Sequence, residues 1–311
     1  MGTDWTQVEP DIVRPRRHRT GVRVVVALLA LAVAAASVLE AQFLTGRPAR
    51  ARSDAPPKAS SRGGSGRGPA ERPVTAPATT TSTPLATTTT TTHATVTTAD
   101  PLRVVEIGDS LGEDLGDAME STWPSATVHL TVAARGDTGL SNSAYYDWPT
   151  ALAALLSSAH PQVVVVLLGA NDLQSMVSGS TVLYDGTPAW NDEYAVRVTE
   201  IVSESVRAGA HVLWIGEPAM QTAFINAGMT RLDGIAQRVV AHFPGKAAYL
   251  SANSVLAPGG SFSFDVTGPT GEELQVRTPD GVHLMPAGAD LLAAAAAKAL
   301  ATTWGMHVAG Q

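Results

Sequence analysis

Arg103-Val104-Val105-Glu106-Ile107-Gly108-Asp109-Ser110-Leu111 reads as a strand that turns sharply into a helix. The run 103–107 has the composition of a buried strand, Gly108 and Asp109 supply the turn, and Leu111, Leu115 and Met119 recur on one helical face. Ser110 therefore falls at a helix N-terminus and at the carboxyl end of a strand. First-turn N–H groups and the helix dipole favour negative charge there. The carboxyl edge of an open α/β sheet is also where ligands bind.

Outward from that turn, short β-branched runs alternate with longer helical patterns from Leu102 to the end, the signature of a parallel sheet covered by helices. Strands are predicted at 103–107, 127–133, 162–168, 211–216 and 247–251, and helices at about 110–122, 148–159, 191–208, 223–243 and 286–303. The third run, Val163-Val164-Val165-Val166-Leu167-Leu168, is apolar on both faces, as a central strand between two helical layers must be. Two stretches break the alternation, 173–190 and 252–284. Both adjoin candidate catalytic motifs at the carboxyl edge and are read as substrate walls.

The first hundred residues have a different character. Residues 24–39 form an uncharged apolar run behind Arg14, Arg16, Arg17, Arg19 and Arg23, which reads as a membrane-targeting segment. The expected organisation is a basic cytoplasmic N-terminus at 1–23, a transmembrane anchor or cleaved signal peptide at 24–44, a disordered Pro/Thr/Ser-rich linker at 45–100, and a catalytic domain at 101–311. A retained anchor and a cleaved signal both leave the remainder outside the cytoplasm. The linker, with its unbroken Thr87 to Thr92, fits O-glycosylation as well as a plain solvated spacer.

Residues 101–311 carry 9 basic and 21 acidic side chains, a net −12, which disfavours nucleic acid and anionic membrane surfaces as partners. The membrane is expected to be contacted through the N-terminal segment alone. The chain has no cysteine, so disulfides, thiolate metal sites and a cysteine nucleophile are all excluded.

A serine hydroxyl is a weak nucleophile until a base takes its proton, and the base needs an orienting group. Asp280 and His283, three residues apart before the last helix, can supply both, although an isolated Asp-x-x-His is more often a turn. After the most buried strand comes Gly169-Ala170-Asn171-Asp172, where an amide side chain could donate to an oxyanion or simply cap the next segment. Arg135-Gly136-Asp137-Thr138-Gly139 follows the second strand and offers glycine N–H groups. All four lie at one sheet edge.

In that order and spacing, GDSL, a glycine of a second block, GxND and DxxH resemble the SGNH (GDSL-type) hydrolase superfamily over nearly all of 102–304. Gly139-Leu140 through Tyr146-Asp147-Trp148-Pro149, with Asp280-Gly281-Val282-His283-Leu284, is most similar to a bacterial, often membrane-anchored extracytoplasmic branch related to polysaccharide O-acetyl esterases and transferases. The resemblance implies a three-layer α/β/α, flavodoxin-like sandwich on a five-stranded parallel sheet. It implies Ser110 as nucleophile, His283 as base and Asp280 as its orienter, with an oxyanion hole formed by Ser110, Asn171 and Gly136, or Gly139 in place of Gly136. It implies no metal and no cofactor.

The function expected is that of a serine esterase or O-acyltransferase, which cleaves or transfers a small acyl group, most simply acetyl, on cell-envelope or extracellular polysaccharide through an acyl-Ser110 intermediate. Trp148, Tyr184 and Trp190, with Tyr194, are candidate sugar-stacking rings, and packing in the core is the equal alternative. The competing readings are a lipase or thioesterase for longer chains and a catalytically inactive carbohydrate-binding module. Gly108 to Gly112 also fits the G-x-S-x-G elbow of α/β-hydrolases, but that elbow follows a central strand deep in its domain, whereas Ser110 follows the first strand.

Overall fold

The computed structural model describes residues 100–308. The expected N-terminus, membrane segment and nearly all of the linker lie outside these residues. Among the described residues no helix is long and apolar enough to cross a membrane.

The chain runs β1 (Leu102–Gly108), α1 (Ser110–Thr122), β2 (Val128–Val132), α2 (Trp148–Ala159) and β3 (Val163–Leu167). A hairpin, β4 (Met176–Ser178) and β5 (Thr181–Leu183), precedes α3 (Pro188–Arg207), β6 (His211–Gly216), α4 (Ala223–Val240) and β7 (Ala247–Ser251). The single turn α5 (Asn253–Leu256), a second hairpin of β8 (Asp265–Thr267) and β9 (Glu273–Gln275), and α6 (Pro286–Trp304) complete it. The main sheet is parallel throughout, in the order β2-β1-β3-β6-β7.

This is the three-layer, flavodoxin-like arrangement expected. Helices α1 and α6 pack together, while α2, α3 and α4 pack in succession. With right-handed crossovers, reversal of winding direction after β2 puts these two groups on opposite faces. All five residues of β3 are buried, which is why that run carries no polar alternation. The winding reverses between β1 and β3, and the crevice where their carboxyl ends part is the ligand position of such sheets. Ser110 and the Gly169 loop both open onto it.

The stretches that broke the alternation are partly ordered by the two hairpins. Helix α3 begins three residues earlier than expected, because Thr187 caps the Trp190 N–H and Pro188 occupies the first turn. Val240, not residue 243, ends α4.

Candidate active site

Asp109 fixes the nucleophile turn. It caps α1 through Oδ1, which accepts from Leu111 N at 3.0 Å, and its Oδ2 accepts from Gly169 N at 3.0 Å and Ala170 N at 2.9 Å. One buried carboxylate thus ties the turn after β1 to the loop after β3. Burial raises its carboxyl to about 6, against the pull of those three backbone donors. The sequence shows a capping residue here but not its second role, because Gly169 lies 60 positions away.

Beneath α1, Glu106 is buried against a glycine face. Its Oε1 lies 2.9 Å from where a Cβ would stand on Gly108 and on Gly112. Burial pushes this carboxyl well up, and the Ala134 backbone N–H opposes that only in part. Gly108 and Gly112 therefore make room for this carboxyl beside the nucleophile turn.

Ser110 Oγ lies 2.9 Å from His283 Nε2, and His283 Nδ1 lies 2.8 Å from Asp280 Oδ2. Asp280 Oδ1 accepts from Thr278 Oγ1 at 2.5 Å, Val282 N at 2.8 Å and His283 N at 3.0 Å. Partial burial pushes the Asp280 carboxyl up, but these donors and the His283 ring outweigh it and hold it well below the usual carboxylate range. An ionised Asp280 accepts the Nδ1 proton, leaving the Nε2 lone pair for the Ser110 hydroxyl.

The Asp280 loop is braced from two directions. Leu284 N donates to Asp114 Oδ2 on α1 at 3.0 Å. The buried Arg277 donates from its two terminal nitrogens to Ala219 O and Val282 O, each at 2.6 Å, and its guanidinium lies over the Phe262 ring. Burial lowers Arg277 to about 10, against Asp280, Glu217 and Asp114, which favour its charge. The bonds to Ala219 and from Leu284 have no local sequence signal, since each joins residues 58 or 170 positions apart.

At the oxyanion position the arrangement differs from expectation in one respect. Gly136 N donates to Glu113 Oε1 at 2.9 Å, so the expected block-two donor is engaged by a carboxylate one turn along α1 from Ser110. Gly139 is buried with Asp172 against its α-carbon, where any Cβ would collide with the carboxylate. Asp172 in turn accepts from Leu140 N, Ser141 N and Tyr194 Oη at 2.7–3.0 Å, docking the second block onto the third. Asn171 Nδ2 donates to Thr138 O at 2.9 Å, which uses one of its two amide hydrogens and leaves the other. Ser110 N stands in the unsatisfied first turn of α1.

Of the proposed sugar-stacking rings, Trp148 and Trp190 are core residues, and this corrects the expectation. The Trp148 indole N–H donates to Thr138 Oγ1 and that of Trp190 to Gln174 O, and both side chains are buried. Trp190 also stacks on the buried Tyr194, with Arg231 over its face. Tyr184 is 68% exposed. No cluster of His, Cys, Asp and Glu suited to a metal ion occurs among the described residues.

The model of a family described as a protein of unknown function, DUF459, matches residues 103–299. No curated protein matches the sequence. Similar solved structures include a GDSL-like lipase from Bacteroides thetaiotaomicron, at 16% identity and TM-score 0.45, covering 64% of this chain and 88% of that one. An acetylxylan esterase from Geobacillus stearothermophilus, represented by a catalytic mutant, shows 12% identity and TM-score 0.43, covering 68% of this chain and 97% of that one. A candidate SGNH hydrolase from Slackia heliotrinireducens shows 22% identity and TM-score 0.42, with 66% and 99% covered.

Proposed function

The chain belongs to the DUF459 family, and from its assembled triad we propose that it is a serine esterase or O-acyltransferase working through an acyl-Ser110 intermediate. The hydrogen-bonded line from Ser110 Oγ through His283 to Asp280 carries this reading. In the first half-reaction His283 Nε2 takes the Ser110 proton as Oγ attacks the acyl carbon, and the resulting oxyanion is met by Ser110 N–H and the second Asn171 amide hydrogen. The imidazolium, steadied by Asp280, then protonates the leaving alkoxide. In the second half-reaction water or a sugar hydroxyl gives its proton to Nε2 and attacks the acyl carbon, and Nε2 then passes that proton to Oγ as the acyl–Oγ bond breaks, which releases the acid or new ester and restores Ser110.

For the substrate we propose small acyl esters, acetyl above all, on cell-envelope or extracellular polysaccharide. The Arg-flanked apolar segment at 24–39 supports an extracytoplasmic site held by an anchor, or a secreted one if the segment is removed. Tyr145 and Tyr184 are exposed rings in the connections after β2 and β5, and Phe224 is exposed in the first turn of α4, which offers aromatic faces to a sugar. One observation favours longer acyl chains as a second reading: Val177 and Val182 are exposed on the β4–β5 hairpin, in the connection that follows the Gly169–Asn171 loop.

The test is a chain-length series of p-nitrophenyl esters with the full-length protein, beside acetate release from an acetylated polysaccharide. Highest turnover on acetate esters and release from the polysaccharide are expected. Activity that climbs beyond butyrate overturns the acetyl reading. Transfer of label to a sugar hydroxyl in preference to water would assign the transferase branch.

A further inference from the structure

Gly169 is held between two acids. Its N–H donates to Asp109 Oδ2, while on its other side Glu217 Oε1 stands 3.0 Å from where a Cβ would be. At φ 152° the backbone there favours glycine independently of space. Glu217 directly follows β6, is 2% exposed, and has no hydrogen-bond partner for either carboxyl oxygen among the described residues. Burying a carboxyl this way is costly, and the triad has no use for it.

The ionisable groups facing Glu217 come from every neighbouring element. Asp109 lies in the turn after β1, Asp172 in the loop after β3, Asp233 on α4, and Arg277 after β9, with the phenols Tyr194 on α3 and Tyr249 on β7. Three carboxyls thus oppose one guanidinium. Asp109 is supplied with three N–H donors and is the better holder of negative charge, whereas Glu217 has none and is the better holder of a proton. Burial first, then the Asp109, Asp233 and Asp172 charges, push Glu217 well up, with Arg277 opposing in part.

We propose that Glu217 is a positioning residue that works as a neutral carboxylic acid, filling the space behind Gly169 and holding the Gly169–Asn171 loop without adding charge behind the forming oxyanion. The inference rests on the esterase reading above. Ionised, Glu217 would set a second negative charge beside Asp109 and oppose negative charge developing at the substrate oxygen. Turnover should then fall on an alkaline limb that belongs to Glu217.

The test compares full-length wild type, E217Q and E217L on p-nitrophenyl acetate across pH, with thermal unfolding at each pH. E217Q is neutral and similar in shape. It should keep kcat within about threefold at neutral pH and lose the alkaline limb. E217L removes the polar head at similar bulk and should lower kcat by about tenfold with KM within about twofold.

Because native Glu217 holds its proton more tightly than the unfolded chain does, raising the pH releases the proton from the unfolded state first. Wild-type stability then falls more steeply with pH than that of E217Q, which keeps only the contributions of the other raised carboxyls such as Asp109 and Asp233. The Tm advantage of E217Q should therefore widen as the pH rises above the ordinary carboxylate range. A leucine as good as glutamine, or an E217Q chain with the wild-type limb and a constant Tm difference, overturns the proposal. If wild type shows no ester turnover that S110A removes, the esterase reading fails and the positioning role with it, whereas the Tm series, which needs no substrate, reports the protonated acid separately.

Discussion

On the nucleophile side of the site the groups that fix Ser110 are buried: Asp109 in its N–H donors, Glu106 beneath the glycines of α1, and Glu217 behind Gly169. On the base side, Asp280 and His283 are 45% and 26% exposed and are held by hydrogen bonds from Thr278 and the loop's own backbone. The first half is fixed by packing, and moving any of its members disturbs the core. The second is fixed by hydrogen bonds within its own loop and by the Asp114 and Arg277 braces at that loop's ends, and it could shift without unfolding the sheet. The difference teaches that damage to the two halves should separate in a joint assay of activity and stability.

The largest effect isolates chemistry from both halves. Ser110→Ala is expected to remove about four or more orders of magnitude of kcat with Tm unchanged, read as loss of p-nitrophenol release. Next, Asp280→Asn keeps the loop's shape but no longer fixes the Nδ1 proton. It should cost roughly 10³–10⁴ in kcat with little change in Tm, and a large fall in Tm would erase the contrast between the halves.

Gly169→Ala tests the buried half. The φ of 152° and the Glu217 contact at 3.0 Å should lower stability by about 1–3 kcal/mol and, by displacing Asn171, lower kcat about a hundredfold. Arg277→Met tests the one deeply buried brace on the exposed side. With the Ala219 and Val282 carbonyls left without donors, about 1–3 kcal/mol should be lost, with kcat down about tenfold. If Arg277→Met leaves Tm intact, the base side is looser than its hydrogen bonds imply.

The smallest effect lies at the rim. Tyr184→Ala should weaken KM for acetylated polysaccharide by about two- to tenfold while sparing p-nitrophenyl acetate.

Much of this was readable from sequence where the determinants are local. The strand-turn-helix around Ser110, the apolar run of β3 and the three-residue spacing of Asp280 and His283 each report on their own neighbourhood. The two tryptophans were ambiguous because an indole before a loop looks the same in sequence whether its N–H finds a partner or faces a ligand. Thr138 Oγ1 and Gln174 O settle that in space. The choice between Gly136 and Gly139 was open for a related reason, since the Glu113 carboxylate that engages the Gly136 N–H lies 23 residues away on another element. In the sequence Glu217 is one acid among 21 in residues 101–311, directly after a strand. Nothing local reveals that its neighbours are Asp109, Asp172 and Asp233.

The bond from Leu284 N to Asp114 joins the last catalytic loop to the first helix across 170 residues, and the Ser110–His283 contact spans 173. During synthesis the serine is made early and its base last. Until α6 docks against α1, the Ser110 hydroxyl lacks the His283 acceptor. Completion of the fold is therefore the event that arms the nucleophile, and a chain that stalls short of Leu284 carries that nucleophile unarmed.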